Sequence, residues 1–234
     1  MTKLIAALDT PSLESALGLV DRLGDSVEWF KIGSRMFCQA GPKAVREIKA
    51  RGKKVFLDLK FHDIPNTVAD AVAAAAKTGA DMMNVHASGG AEMMRAAVKA
   101  ADDAENRPII IAVTVLTSMD DAQLAAVLGP GAENDSKRHV EHLAKLAADS
   151  KMDGVVCSAW EIDAIRKAVG AGFKLVVPGI RPAGAAAGDQ KRVATPALAA
   201  EKGADFIVVG RPIYASENPA EAAEAILEEL KSTN

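Results

Sequence analysis

The sequence predicts an α/β fold, a single-domain (β/α)8 TIM barrel over residues 1–234. Three observations point to it. Short apolar runs of β-type residues recur eight times, each followed by a segment of helical periodicity. The runs are apolar throughout, as strands of a parallel sheet covered on both faces must be. Their C-terminal ends, where such barrels keep their chemistry, carry polar and charged residues. The rival is an open doubly wound sheet. Its first turn would show a Gly-rich fingerprint, and Leu8-Asp9-Thr10-Pro11-Ser12 is not one.

Residues 4–8 form the first run. Thr10 can cap the helix that follows and Pro11 suits its first position. Leu13, Leu17, Val20 and Leu23 line one helical face. Residues 29–32 end a second strand, and residues 42–51 form a helix stopped by Gly52. The third strand is 55–60, after which Asn66 or Thr67 caps an Ala-rich helix ending near Gly79. A strand over 82–85 and a helix over 91–101 follow, then a fifth strand over 109–113. Helical stretches surround Leu124 and cover 137–148. Strands over 155–157, 175–177 and 206–209 complete the eight, separated by a helix over 161–169 and one opened by Thr195-Pro196. A helix over 219–230 closes the chain. Gly79-Ala80-Asp81 and Gly203-Ala204-Asp205 introduce strands four and eight alike, a weak internal echo. Residues 181–191, rich in Gly and Ala, read as a loop of the kind that serves as a lid.

Composition narrows the function. A net charge of −3 excludes a strongly basic nucleic-acid binder but allows a local basic pocket. No window approaches the ~18 apolar residues of a membrane span. Asp9 interrupts the N-terminal apolar run before it reaches signal-peptide length, so a cytoplasmic protein is expected. Cys38 and Cys157 are expected to be free thiols, Cys38 under the second loop and Cys157 at the end of its strand.

The strand ends carry Asp9, Lys31, Asp58 with Lys60, His86, Thr114, Ser158, Pro178 and Arg211. Asp58 and Lys60, two apart, share one face of their strand and point into the mouth, while Leu57 and Leu59 face the helices. Asp63 follows closely. With Lys31 from the neighbouring strand, two ammoniums and two carboxylates alternate. A buried ion-pair network without chemistry is the structural alternative. Opposite charges around Lys60 favour its ammonium, which suits a proton donor rather than an amine nucleophile. The other cluster is Pro178-Gly179-Ile180-Arg181 after strand seven and Gly210-Arg211-Pro212 after strand eight. Loops there, with a helix start, commonly bind phosphate, and Arg211 can make paired bonds to its oxygens. His62 and His86 read as structural neighbours of the network. His139 and His142 lie i, i+3 on a helix with no third metal ligand, so no metal site is expected. Met82-Met83 and Met93-Met94 read as core filler.

The stretch Asp58-Leu59-Lys60-Phe61-His62-Asp63-Ile64-Pro65-Asn66-Thr67 resembles the signature of the orotidine 5'-phosphate decarboxylase family. Lys31, Val85-His86-Ala87-Ser88-Gly89-Gly90, residues 113–118, residues 178–182, Gln190 and Gly210-Arg211 resemble it in the same order. The resemblance implies cofactor-free decarboxylation of orotidine monophosphate to uridine monophosphate in pyrimidine synthesis. It further implies a homodimer with sites near the subunit interface. Lys60 matches the proton donor to the ring carbon, and Asp58 the carboxylate beside the substrate's own. Lys31 matches the lysine tied to the ribose, and Asp9 a residue that also holds substrate. Asp63 and Thr67 match residues lent by the partner subunit. Thr117, with Ser118 adjacent, matches a pyrimidine contact; Gln190, Gly210 and Arg211 match phosphate contacts, Arg181 begins the phosphate-closing loop, and Pro178 is expected among the substrate-binding residues. Two rivals remain open. One is a magnesium-dependent sugar-phosphate decarboxylase or aldolase of the phosphate-binding barrels, which would want an acidic ligand where Lys31 stands. The other is a nucleotide-binding barrel without catalysis.

Overall fold

In the computed structural model, which describes residues 1–129, 135–182 and 193–232, the strands form one closed parallel barrel. They are β1 (Lys3–Ala7), β2 (Trp29–Gly33), β3 (Lys54–Phe61), β4 (Met82–His86), β5 (Ile109–Val113), β6 (Gly154–Val156), β7 (Lys174–Val177) and β8 (Phe206–Val209). Each pairs with its sequence neighbours, and β8 returns to β1 in the register Leu4↔Ile207. Alternation sorts each strand's side chains. Ile5, Trp29, Phe56, Met82, Ile111, Val176, Phe206 and Val208 fill the interior. Ala6, Phe30, Leu57, Ala112, Val177 and Ile207 face outward into the layer beneath the helices. Both faces are therefore dry, which is why the strands read as unbroken apolar runs. Both Met pairs are wholly buried.

The barrel's lower rim explains the internal echo and extends it. Asp81, Asp153 and Asp205 each precede an even-numbered strand. The Asp81 carboxylate accepts the Val55 N–H at 2.7 Å, that of Asp153 the Ile110 N–H at 2.7 Å, and that of Asp205 the Leu175 N–H at 2.8 Å. In each case the aspartate's own N–H returns a bond to the carbonyl of the same residue, at 2.9, 2.9 and 3.0 Å. A cation holds each outer face: Lys49, Arg107 and Arg166 respectively. Asp153 lacks the Gly-Ala prefix, so the sequence shows only two of the three. Asp153→Ala orphans the Ile110 N–H at the foot of β5. It is expected to lower stability by about 1–3 kcal/mol in urea unfolding, with the distant upper end of the barrel unaffected.

Several local expectations are corrected. Thr10 does not cap the first helix, Leu13–Leu23, and Pro11 does not open it; Ser12 is the cap, its Oγ accepting the Ser15 N–H at 3.1 Å. The extended chain continues past β1, with the Leu8 N–H bonded to the Lys31 carbonyl, so the helix starts later. Neither Asn66 nor Thr67 caps the helix Pro65–Ala76. Pro65 occupies its first position, where a missing N–H is harmless, and Ile64 precedes it without a side-chain cap bond. The short helices Ser34–Ala40 and Arg211–Tyr214 directly after β2 and β8 were not expected. Cys157 is buried, but Cys38 is exposed on Ser34–Ala40 rather than covered by a loop; both are free thiols.

Candidate active site

At the upper end of the barrel the inward positions turn from apolar to polar. Two residues above Trp29 is Lys31, above Phe56 is Asp58, and above Met82 is Asn84. Alternation along three adjacent strands thus stacks a polar layer on an aromatic and methionine floor. Lys31 Nζ lies 3.2 Å from Asp9 Oδ1 and 3.4 Å from Asp58 Oδ2. Lys60 Nζ lies 2.6 Å from Asp58 Oδ1. The result is an alternating row, Asp9, Lys31, Asp58, Lys60, that crosses the mouth. Gly33 leaves room for it: a Cβ there would stand 3.2 Å from Lys31 Nζ.

Burial pushes the Asp58 carboxyl up. Lys31, Lys60 and the bonds from Lys60 and Asn84 outweigh that and hold it below the ordinary aspartate value. Asp58 is therefore ionised through the neutral range. His86, at the end of β4, is pushed down chiefly by burial and then by His62 and Lys60, against a smaller upward pull from Asp58. Its ring stays neutral at pH 7 and packs 5.4 Å from that of His62.

Lys60 does not reach the mouth by simple alternation. Its φ is +54°, and pairing between β3 and β4 changes register between Leu57 and Phe61. Few residues other than glycine adopt that backbone, and those that do cluster at functional sites.

The charged row borders two adjoining cavities. One, about 160 Å³, has Lys31, Asp58 and Lys60 on one side and an apolar lining that includes Phe56, Val113 and Val156, with Thr117 at its edge. The second, about 380 Å³, is lined by Asp9, Arg181, Gly210, Arg211 and Tyr214. Lys31, Pro178 and Val208 border both. Arg181 is 7% exposed, and Nη1 donates to the Ile180 carbonyl at 2.8 Å. Burial, and then Arg211, push its pKa down, so the two guanidiniums repel each other across a space that an anion would relieve. An apolar cavity flanked by ammoniums adjoins a polar chamber flanked by guanidiniums. That arrangement can hold a planar heterocycle and its anionic tail at once.

The structure brings together Asp9, Lys31, Asp58, Lys60, Thr117, Pro178, Arg181, Gly210 and Arg211. It leaves Asp63 out of the row, and Asp9 supplies the second carboxylate instead. Asp63 is exposed beyond β3, where its carboxylate accepts the Ile64 N–H at 2.7 Å. Thr67 and Ser118 are exposed and line neither cavity. Gln190 and most of the 181–191 segment lie outside the described residues. Asn84 and Tyr214 were missed. A lone Asn at an inward position of Met82-Met83-Asn84-Val85-His86 was the available signal for the first. Among the described residues no group of three His, Cys, Asp or Glu side chains is placed to hold a metal ion, and no helix is long and apolar enough to cross a membrane.

Comparisons with known proteins agree with this geometry. The family model described as "Orotidine 5'-phosphate decarboxylase / HUMPS family" matches residues 2–226. An orotidine 5'-phosphate decarboxylase of Sodalis glossinidius (strain morsitans) is 52% identical over 228 residues, covering 97% of this chain and 89% of its own. One of Moorella thermoacetica is 50% identical over 234 residues, covering 98% and 92%. The crystal structure of orotidine 5'-phosphate decarboxylase from Lactobacillus acidophilus superposes with a TM-score of 0.86 at 37% identity, over 98% of this chain and 99% of that one. With a family match that spans nearly the whole chain and relatives this similar along it, the chain belongs to the orotidine 5'-phosphate decarboxylase / HUMPS family.

Proposed function

We propose that this chain, as one (β/α)8 unit over residues 1–234, decarboxylates orotidine 5'-monophosphate to uridine 5'-monophosphate in pyrimidine biosynthesis, without a cofactor. The observation that carries the reading is the Asp9–Lys31–Asp58–Lys60 row, which runs from an arginine-lined cavity at Asp9 to a ring-sized apolar one at Asp58 and Lys60, with Lys31 bordering both.

The pyrimidine occupies the apolar cavity, with its carboxylate toward Asp58 and Lys60 and its phosphate between Arg181 and Arg211. The bond from ring carbon to carboxyl carbon breaks, carbon dioxide leaves, and the electron pair stays on the ring carbon. Lys60 Nζ gives that carbon a proton and becomes an amine, which solvent reprotonates. Before transfer, the ammonium stabilises the developing carbanion in a water-poor slot. Lys31 holds Asp58 from the other side and reaches toward the ribose. Two unit charges 4 Å apart repel by about 4 kcal/mol at an effective dielectric of 20. Enzymes lower barriers by roughly 8–23 kcal/mol. Repulsion of the substrate carboxylate by Asp58 is therefore a minor share; Lys60 and the distant phosphate contacts supply more.

Asp63 and Thr67 are exposed beside Ile64, a large apolar residue that is 66% exposed. This supports a homodimer in which both side chains serve the partner's site. Gln190, like Arg211, is assigned to the phosphate, and Ser118 to the pyrimidine edge with Thr117. A cytoplasmic location fits a biosynthetic enzyme with small soluble substrates.

The magnesium-dependent rival needs clustered acidic ligands. Here the Lys31 ammonium occupies the space between Asp9 and Asp58, which favours the metal-free chemistry. Incubating the protein with orotidine monophosphate in excess chelator tests both points. Loss of substrate absorbance at the same rate with and without chelator is expected. Turnover that requires restored magnesium would overturn the metal-free mechanism. Thermal stabilisation by uridine monophosphate without any turnover would select the non-catalytic barrel.

A further inference from the structure

Asn84 is the neutral member of the polar layer, 1% exposed on β4. Its carboxamide uses both ends on two residues of β3. Nδ2 donates to Asp58 Oδ1 at 2.7 Å, and Oδ1 accepts the backbone N–H of Lys60 at 2.8 Å. The same Asp58 oxygen receives Lys60 Nζ at 2.6 Å. Asn84, Asp58 and Lys60 therefore close a ring of three bonds. Only one orientation of the amide satisfies both partners, since the flipped group would set oxygen against carboxylate and N–H against N–H.

The β3–β4 ladder slips between Leu57 and Phe61, and Lys60 stands inside that slip with φ +54°. Its N–H has left the regular ladder, and a buried N–H without a partner is destabilising. The amide of Asn84 takes the place of the missing ladder carbonyl. We infer that Asn84 is a positioning residue: it clamps Lys60 in its left-handed backbone and fixes Asp58, so that the Lys60 ammonium points into the cavity. The inference rests on the decarboxylase reading and adds a residue to it that touches no substrate.

Asparagine is required because one group must donate to a carboxylate and accept from an amide together. Alanine does neither. Ionised aspartate accepts but sets a second negative charge against Asp58. Protonated aspartate does both. The charged and titratable groups around the position are Asp58 and Lys60 on β3, Lys31 beyond Asp58 on β2, and His86 on β4 with His62 packed on it. On β5 the residue in register is Ile111, which brings no charge.

The test compares wild type, Asn84→Ala and Asn84→Asp for orotidine monophosphate turnover from pH 5 to 8, for uridine monophosphate affinity, and for melting temperature. Asn84→Ala is expected to lose about 100-fold in kcat, as a misplacement of about 1 Å does, with nucleotide affinity kept within about threefold. Asn84→Asp is expected to recover relative to wild type as the pH falls, by up to about tenfold per pH unit, until the new carboxyl is neutral. A role in folding alone would lower the melting temperature without bending that ratio. Asn84→Ala with kcat within about threefold of wild type overturns the inference, and so does a wild-type to Asn84→Asp ratio that is flat with pH. If the alanine variant does not fold, the aspartate ratio decides. Wild-type protein without any turnover overturns the decarboxylase reading and this inference with it.

Discussion

Lys60→Ala is expected to lower kcat by about 10⁴-fold or more while uridine monophosphate binding stays within about tenfold. A positioned general acid contributes roughly 10²–10⁴, and a charge aimed at the transition state about 10²–10³ more. In the proposed reaction Lys60 fills both roles, so both are lost together. Binding survives because the groups around the phosphate, Arg181 and Arg211, line a separate cavity. Asp58 survives as a carboxylate because Lys31 and Asn84 still hold it. Turnover is read from the loss of substrate absorbance and affinity from calorimetry. A kcat within tenfold of wild type would remove Lys60 from the chemistry. The same variant tests the proposed homodimer. Mixed and reassembled with Asp63→Ala, it should regain roughly a quarter of wild-type activity, because half the dimers are hybrids with one intact site each. A mixture no more active than its parts would show that Asp63 serves its own chain or none.

Much of this architecture is legible in the sequence because its causes are local. A strand covered on both faces has to be apolar along its length, and eight such runs are visible without coordinates. Charged residues that end those runs stand out against them, so Asp9, Lys31, Asp58, Lys60 and Arg211 are found by position alone. What escapes depends on register and on partners in space. Asn84 is uncharged within an apolar strand, and its importance arises from a slip between β3 and β4 that nothing in the order of residues announces. Lys60 reaches the mouth through a left-handed backbone, where alternation had predicted an ordinary strand. The helix starts at Ser12 and Pro65 differ from the expected ones because pairing of Leu8 with Lys31 and the fixed φ of proline outweigh nearby side-chain preferences. Asp63 reads as a member of the charged row from its spacing, yet the turn backbone holds its carboxylate at Ile64.

Arg211→Ala is expected to lower kcat/KM by about 10²–10⁴, with part of that loss in kcat. Each charge-assisted bond to a phosphate oxygen is worth roughly 1.5–3 kcal/mol, and a guanidinium can make two. If those bonds formed equally with substrate and transition state, only KM would rise. The geometry argues for more. Lys31, Pro178 and Val208 border both cavities, so a phosphate seated against Arg211 fixes where the ring stands relative to Lys60. Removing the anchor then loosens the reacting carbon from its proton donor, and kcat falls with affinity. Separating the two pieces of substrate isolates the effect. With a phosphate-free nucleoside, added phosphite is expected to accelerate wild-type turnover, because the dianion fills the Arg181–Arg211 chamber in place of the missing phosphate. In Arg211→Ala the same phosphite should give little or no acceleration. A variant whose KM alone rises, together with a wild type indifferent to phosphite at every concentration, would reduce the arginine chamber to a tether and leave catalysis entirely to the charged row.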